Sequence, residues 1–193
     1  MSLVILDRDG VINHDSDNYI RSPEQWRPID GSLEAIARLT RGGYRVVVAT
    51  NQSGIARGYF DVDTLNAIHN HMLDAIRRKG GSISAIAFCP HAPTDYCECR
   101  KPKPGLLLSL AERLKTSLTN VPFVGDSLSD LQAARAAGAL PVMVLSGKNE
   151  FELTKHQTIP TEGFESTPVY DSLGSFVNHL LSQPSPTRPS HPA

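Results

Sequence analysis

Two carboxylates stand two residues apart directly after an apolar run near the start of the chain. The run is Leu3-Val4-Ile5-Leu6, and Asp7 and Asp9 follow it. Consecutive apolar residues are typical of a strand that is covered on both faces. Residues i and i+2 of an extended chain project to the same side, so one carboxylate can be a nucleophile while the other moves protons. The alternative for this fragment alone is a surface Asp-Gly turn, since Gly10 comes next.

Polar residues also follow later apolar runs, which are separated by segments of helical character. These runs are Val46–Ala49, Ile83–Phe88, Val121–Val124 and Pro141–Leu145. The residues that follow the first three of them are Thr50, Asn51, Gln52 and Ser53, then Cys89 and His91, then Gly125 and Asp126. Ligands bind at the carboxyl ends of strands in open parallel sheets, so these side chains are expected to meet in one crevice.

The elements that must position this crevice are alternating strands and helices. Asp61 is a candidate N-cap for a helix that runs to about Lys79. The other predicted helices are Leu33–Arg41, one that has Pro104 in its first turn, Ser127–Ala137 and Leu173–Leu181. This alternation predicts an α/β fold with a doubly wound, Rossmann-like parallel sheet. We expect a single domain over residues 1–182, followed by a Pro-rich, disordered tail at 183–193.

The converging residue types meet the needs of phosphate-ester hydrolysis. Asp7 can attack phosphorus to form an aspartyl-phosphate, and Asp9 can protonate the leaving oxygen. Asp126 can join Asp7 around Mg²⁺, a hard ion that favours carboxylates and water. Thr50 offers a hydroxyl and Asn51 an amide to the phosphate, and either Lys101 or Lys103 offers a positive charge.

Four sequence elements, taken together, resemble those of the haloacid-dehalogenase-like (HAD-like) phosphohydrolases. They are DRDGVIN at 7–13, TNQSGIARG at 50–58, CRKPKPG at 99–105 and GDSLSD at 125–130, and the resemblance covers roughly Leu3–Lys148. It implies that Asp7 is the nucleophile, that Asp9 is the general acid and base, and that Thr50 and Lys101 stabilise the phosphoryl group. It also implies that Asp7, Asp126 and the backbone carbonyl of Asp9 hold Mg²⁺. Asp130 either orients metal-bound water or favours the first turn of its helix.

All three cysteines of the chain lie close together with a histidine. Cys89, His91, Cys97 and Cys99 form the pattern C-x-H-x5-C-x-C. Three thiolates and one imidazole suit a closed tetrahedral Zn²⁺ site, which would be structural and would aim Arg100 and Lys101. The alternative is a set of reduced cysteines beside a turn. His69 and His71 are weaker ligand candidates because they diverge around a predicted helix.

This cysteine-rich loop resembles the branch of the superfamily that contains heptose-bisphosphatases and histidinol-phosphatases. The resemblance implies a capless enzyme that removes the 7-phosphate of a heptose bisphosphate on the route to activated heptose for bacterial surface polysaccharide. It further implies that Arg100 contacts the second phosphate and that the loop Asp15–Tyr19, with Asp15, Ser16, Asp17 and Asn18, contacts sugar hydroxyls. Asn51, Gln52 and Ser53 are also candidates for substrate binding. Histidinol phosphate is the alternative substrate.

Composition limits the partners that we expect. Nineteen basic and twenty acidic residues give a formal charge of −1, so nothing favours nucleic acid or an anionic membrane. Apolar stretches are too short to span a bilayer, and the N-terminus lacks a secretion signal, so we expect a cytoplasmic monomer that acts on a small phosphorylated sugar.

Two alternatives come from other functional classes. One is a phospho-accepting receiver domain, for which Lys148 would supply the lysine, although such a domain carries its phospho-acceptor where this chain has Cys89. The other is a zinc-stabilised binding module without catalysis, which would leave the carboxylates without a role.

Overall fold

The fold is a six-stranded parallel sheet with the order β3-β2-β1-β4-β5-β6. A computed structural model describes residues 2–147, 159 and 161–183. Within these residues the strands are β1 (Leu3–Leu6), β2 (Arg45–Asn51), β3 (Ala85–Cys89), β4 (Pro122–Gly125), β5 (Leu140–Val144) and β6 (Val169–Tyr170). The helices are α1 (Ser32–Arg41), α2 (Val62–Arg78), α3 (Gly105–Leu114), α4 (Leu128–Ala136) and α5 (Leu173–Ser182).

Alternate residues of β1 point into two separate cores. Val4 and Leu6 pack in one cluster with apolar residues of α1, α2 and α5. Leu3 and Ile5 pack in the other with residues of α3 and α4. Helices therefore cover both faces of the sheet, which is why the strand reads as an uninterrupted apolar run. The doubly wound α/β fold predicted from the sequence is confirmed.

The strand order reverses at β1 and β4. The chain proceeds from β1 through β2 to β3 on one side, and then returns to β4 on the other side of β1. The amide of Asp7 donates to the carbonyl oxygen of Val124 over 2.9 Å and continues this pairing beyond β1. Such a reversal opens a crevice at the carboxyl ends of the two strands. Asp7, at the end of β1, and Asp126, at the end of β4, both lie there.

Most predicted elements are present, with shifted ends. Asp61 caps α2 by accepting a hydrogen bond from the amide of Thr64 over 2.8 Å, as predicted. Strand β3 starts at Ala85, two residues later than the apolar run suggested, and reaches Cys89. Strand β6 was not predicted because it has only two residues at the edge of the sheet.

The segments that follow β1 and β3 carry no cap domain. Residues 10–31 contain one 3-10 turn, Pro23–Gln25, and the segment after β3 contains another, Pro93–Asp95. The fold is therefore capless, as expected. The predicted tail, apart from Gln183, and Lys148 lie outside the described residues.

A membrane-crossing helix would need a longer apolar stretch than any helix in the described part of the chain provides.

Candidate active site

A cavity of about 380 Å³ lies over the carboxyl ends of the central strands. It brings together most of the residues that the sequence singled out. Its lining includes Asp7, Asp9, Asp15, Ser16, Asp17, Thr50, Asn51, Gln52, Ser53, Arg100, Lys101 and Asp126. Asn18 instead lines a neighbouring cavity formed by the loop itself. Tyr19, the last residue of the predicted Asp15–Tyr19 loop, lines the central cavity as well. So do Arg8, Ile20, Ser127 and Ser129, which were not predicted to bind substrate or metal.

Lys101 bridges two carboxylates at the bottom of this cavity. Its Nζ lies 2.9 Å from Oδ1 of Asp7 and 2.6 Å from Oδ1 of Asp130, and it donates to the carbonyl oxygen of Ala49 over 3.1 Å. Lys103, the other candidate, points outward and pairs with Glu98. The structure therefore places Lys101, and not Lys103, beside the nucleophile candidate.

The electrostatics of this cluster favour an additional cation. Burial raises the pKa of Asp7 well above its usual value; the neighbouring carboxylates Asp130, Asp126 and Asp9 add to the rise, while Lys101 opposes it. Burial would lower the pKa of Lys101, but its contacts with Asp130 and Asp7 outweigh burial and raise it. Lys101 is thus held as an ammonium, and its single charge does not balance the carboxylates around it.

Mg²⁺ suits this donor set. Carboxylate oxygens of Asp7, Asp126 and Asp130 lie within 4.8 Å of one another, and such hard oxygen ligands are the ones Mg²⁺ prefers. The Asp126 carboxylate has room beside Asp7 because Gly10 and Gly147 carry no side chains. A Cβ on Gly10 would lie 2.2 Å from Oδ2 of Asp126, and one on Gly147 would lie 1.9 Å from it, so either would clash with the carboxylate. The residues present therefore fit a divalent cation beside Asp7.

Asp130 is more deeply buried than the sequence suggested. Its side chain has no exposed surface, and its Oδ2 accepts from the amide of Ser127 over 3.1 Å and from the Ser127 hydroxyl over 2.7 Å. It therefore caps the start of α4 and binds Lys101 at the same time. The two roles that the sequence left open for Asp130 did not include this contact with Lys101.

Asp9 is held by a set of donors. Nη2 of Arg8 lies 2.9 and 3.0 Å from its two carboxylate oxygens, Nδ2 of Asn13 donates over 2.8 Å, and Nε2 of Gln52 donates over 2.9 Å. Burial alone would raise the pKa of Asp9, but the charge of Arg8 and these hydrogen bonds outweigh it and lower the pKa. Asp9 is therefore ionised and fixed at the rim of the cavity.

Arg8 and His69 form a buried contact behind the cavity that the sequence did not predict, because His69 was considered only as a weak metal ligand. Arg8 is 1% exposed, and its Nη1 lies 3.3 Å from Nε2 of His69, on α2. Burial and the nearby charge of Arg8 lower the pKa of His69 to about 3, with Asp9 opposing the shift. His69 is therefore neutral, and its Nε2 accepts the hydrogen bond. The sequence did contain a signal that His69 is buried, since His69 follows Leu65 by four residues and so lies beside the apolar stripe of α2.

The residues at the carboxyl end of β2 reach both the cavity and Lys101. Oγ1 of Thr50 accepts from Nε2 of Gln52 over 2.9 Å and lines the cavity. The Asn51 side chain accepts from the amide of Lys101 and donates to its carbonyl oxygen, each over 3.1 Å. Asn51 therefore fixes the backbone of Lys101.

Cys89, His91, Cys97 and Cys99 form a compact cluster beside this site. The closest ligand-atom distances are 3.2 Å between the sulfurs of Cys99 and Cys89, and 3.3 Å between Nδ1 of His91 and the sulfur of Cys99. Burial would raise the pKa of Cys97, but the hydrogen bond from the amide of Arg100 and those with the other thiols lower it to about 7. Three sulfurs and one imidazole nitrogen within 4.8 Å of one another fit a tetrahedral Zn²⁺ ion.

Arg100 joins the cysteine cluster to the cavity. Its amide donates to the sulfur of Cys97 over 3.4 Å, and its Nη1 donates to the carbonyl oxygen of His91 over 3.3 Å. Its side chain lines the cavity close to Lys101. The position of Arg100 therefore depends on the conformation of the cysteine loop.

Comparisons with known proteins agree with this geometry. The HAD-hydrolase-like family model matches residues 98–176. D-glycero-β-D-manno-heptose-1,7-bisphosphate 7-phosphatases from Pseudomonas putida and Neisseria meningitidis are 50% and 46% identical to this chain. The two alignments cover 94% and 95% of this chain. The alignments span 100% and 96% of those relatives.

A solved structure is also similar. The D,D-heptose 1,7-bisphosphate phosphatase of Bordetella bronchiseptica, complexed with magnesium and phosphate, has a TM-score of 0.87 and 49% identity. The match covers 94% of this chain and 98% of that one. The magnesium in that structure supports Mg²⁺ as a cofactor of this chain.

The sheet and the strand-end carboxylates therefore define a HAD-like phosphoric monoester hydrolase. Within that class, the chain belongs to the family of D-glycero-β-D-manno-heptose-1,7-bisphosphate 7-phosphatases. The histidinol-phosphatase and receiver alternatives gain no support from these matches.

Proposed function

We propose that this enzyme hydrolyses the 7-phosphate of D-glycero-β-D-manno-heptose 1,7-bisphosphate through an aspartyl-phosphate on Asp7. The observation that carries the proposal is the placement of Asp7 in contact with Lys101 and beside Asp9, in the cavity that Arg100 also lines. The names of relatives that match nearly the whole chain support the choice of substrate.

The chemistry follows from the contacts of each side chain. A carboxylate oxygen of Asp7 attacks phosphorus, while Lys101 and the hydroxyl of Thr50 stabilise the charge on the phosphoryl oxygens. Asp9, after taking up a proton, gives it to the departing O7 of the sugar. It then removes a proton from the water that attacks the aspartyl-phosphate, which releases phosphate and restores Asp7.

Metals have separate roles in this proposal. Mg²⁺, held by Asp7, Asp126 and the carbonyl oxygen of Asp9, would neutralise charge on the transferring group. Zn²⁺, held by Cys89, His91, Cys97 and Cys99, would be structural.

Substrate selection rests on residues at the rim of the cavity. Arg100 offers a planar donor fork to the 1-phosphate, and its contact with His91 keeps that fork near the opening. Asp15, Ser16 and Asp17 present acceptors and donors to the sugar hydroxyls on the other side. Asn18 lies in the same loop but lines the adjoining cavity, so we assign it a supporting role in the loop.

We further propose that the enzyme works as a monomer in the cytoplasm, with residues 1–182 as one domain, and without nucleic acid or membrane as a partner. The near-neutral charge of −1 supports the absence of polyanionic partners. The described chain also supplies every candidate group of the cavity by itself.

The test is Mg²⁺-dependent phosphate release from the β-anomer of heptose 1,7-bisphosphate, compared with the α-anomer, histidinol phosphate and glucose 6-phosphate. We expect kcat/KM for the β-bisphosphate to exceed that for monophosphates at least tenfold, since a charge-assisted hydrogen bond contributes roughly 1.5–3 kcal/mol. Phosphorus NMR of the product should retain the 1-phosphate.

The control is Asp7→Asn, whose folding is checked by circular dichroism. It removes the nucleophile without changing the size of the side chain, so it should release no phosphate. Undiminished hydrolysis by this variant would refute the assignment of Asp7, and a preference for histidinol phosphate would refute the assignment of the substrate.

A further inference from the structure

Arg8 lies beneath Asp9, between this carboxylate and a buried histidine. The Arg8 guanidinium donates from Nε and Nη2 to Oδ1 of Asp9, over 3.1 and 2.9 Å, and from Nη2 to Oδ2 over 3.0 Å. Its Nη1 faces Nε2 of His69 at 3.3 Å. Arg8 is 1% exposed and His69 is 5% exposed, so water has little access to this contact.

The orientation of His69 is fixed by its helix and its neighbours. It lies in the middle of α2, a 17-residue helix whose buried side packs in the core. Its ring meets the ring of Phe88 edge-on, with 6.2 Å between the ring centroids. His69 is therefore a rigid acceptor that faces a guanidinium, and the mechanism described above does not use it.

We propose that His69 is a positioning residue for phosphoryl transfer, which holds the plane of the Arg8 guanidinium so that Arg8 aims the carboxyl group of Asp9 at the leaving oxygen. A guanidinium with acceptors on both sides has one orientation in which its buried N–H groups are paired. Without the acceptor on α2, the guanidinium is free to turn toward another acceptor, and the Asp9 carboxylate that it holds turns with it.

The inference deepens the proposed function and rests on it, because it assigns His69 to the proton transfer that Asp9 performs. A sugar alkoxide needs a proton to leave, whereas p-nitrophenolate leaves without one. In the first step, transfer of the phosphoryl group to Asp7, a fault in the aim of Asp9 therefore slows the sugar phosphate much more than p-nitrophenyl phosphate. Hydrolysis of the aspartyl-phosphate is the same for both substrates, so the comparison uses kcat/KM, which reports on the steps up to departure of the leaving group. A general loosening of the site slows both reactions alike.

The experiment compares kcat/KM on heptose 1,7-bisphosphate with kcat/KM on p-nitrophenyl phosphate, at saturating Mg²⁺. We expect His69→Leu to lower kcat/KM on the bisphosphate at least tenfold and kcat/KM on p-nitrophenyl phosphate less than threefold. His69→Gln places a carbonyl oxygen near the position of Nε2, so it should recover kcat/KM on the bisphosphate to within threefold of the parent enzyme.

His71→Leu is the matched control. His71 lies on the same helix but faces outward, against Trp26, with 5.7 Å between the ring centroids. It should leave both rates within twofold of the parent enzyme. Arg8→Lys is the second variant if His69→Leu does not fold: its shorter cation can pair with Asp9 but lacks the fork that reaches His69, so it should produce the same difference between substrates.

Equal losses on the two substrates, or no loss on the bisphosphate, would overturn the role of His69. So would a His69→Gln variant that is as impaired as His69→Leu. Failure of the proposed function gives a different result, namely a parent enzyme that does not hydrolyse the bisphosphate. The substrate comparison would then use whichever alkyl phosphate the parent enzyme does hydrolyse.

Discussion

Lys101 stabilises the site through two carboxylates at once. It is 3% exposed and lies between Asp7, which attacks phosphorus in the proposed mechanism, and Asp130, which caps α4. A buried charge of this kind needs paired partners, because its desolvation is costly. In the resting enzyme the Lys101 ammonium pairs with the carboxylates of Asp7 and Asp130. In the proposed mechanism the same ammonium, already beside Asp7, stabilises the negative charge on the phosphoryl oxygens in the transition state.

We predict that Lys101→Met lowers kcat about 100- to 1000-fold, the usual effect of removing one donor to a developing oxyanion. Methionine keeps much of the length and packing of the lysine side chain but removes its charge. Phosphate release measured under saturating substrate and Mg²⁺ checks this. Lys103→Met is the control, since Lys103 is exposed and pairs with Glu98, and it should keep at least half of the activity. A Lys101→Met enzyme with the activity of the parent would rule out this role.

The sequence separated these residues only in part. Spacing alone left Lys101 and Lys103 equivalent, because both precede a proline, and the family motif favoured Lys101. Nothing in the local sequence could place Asp130 against Lys101, since that contact depends on how the loop after β3 folds over β1. The contact between Arg8 and His69 joins residues 61 positions apart, so it needs the packing of α2 on the sheet.

The loop from Cys89 to Cys99 links two elements of the fold. Cys89 ends β3, whereas Cys97 and Cys99 stand shortly before α3. Both Arg100 contacts, to the sulfur of Cys97 and to the carbonyl oxygen of His91, are made to this loop. Lys101 depends on it less, because Asn51 binds its backbone from β2. A bound zinc ion would therefore affect Arg100 more than Lys101.

Removal of zinc should raise KM for the bisphosphate more than it lowers kcat. We expect KM to rise at least fivefold, kcat to fall less than threefold and Tm to fall by several degrees, since a closed zinc site contributes to folding stability. The measurement uses a chelator, then dialysis and excess Mg²⁺. Cys99→Ser should show the same defects before chelation and no further change after it. Unchanged KM and Tm after zinc loss would contradict the structural role of the metal.

The whole molecule places its chemistry where the strand order reverses. Asp7 and Asp126 meet because β1 and β4 are neighbours although more than a hundred residues separate them. The sequence predicted this crevice, since polar residues followed four buried apolar runs, and parallel strands end at one edge of the sheet. It did not predict β6, because Val169–Tyr170 is too short to form an apolar run. Asn18 was grouped with Asp15 by its loop, but the turn of that loop directs it to another cavity.

Acid stability should depend on His69. Its pKa falls from 6.5 to about 3 in the folded protein because of burial and the charge of Arg8. Between pH 6.5 and about 3, His69 is therefore protonated in the unfolded chain but not in the folded protein. Its contribution to the free energy of unfolding is complete above pH 6.5 and is lost as the pH falls toward 3. Within this window the free energy of unfolding should decrease by up to about 1.4 kcal/mol per pH unit on account of this one group.

Urea unfolding of the parent and of His69→Gln between pH 7 and pH 4 tests this. Glutamine keeps an acceptor for Arg8 but does not titrate, so the variant should lose less stability than the parent as the pH falls. His71→Gln is the matched control, because it makes the same exchange at an exposed position of the same helix and so reports any effect of the exchange itself on α2. Parallel curves for the parent and His69→Gln would mean that the buried imidazole takes up its proton without unfolding, and that the acid sensitivity of the fold has another source.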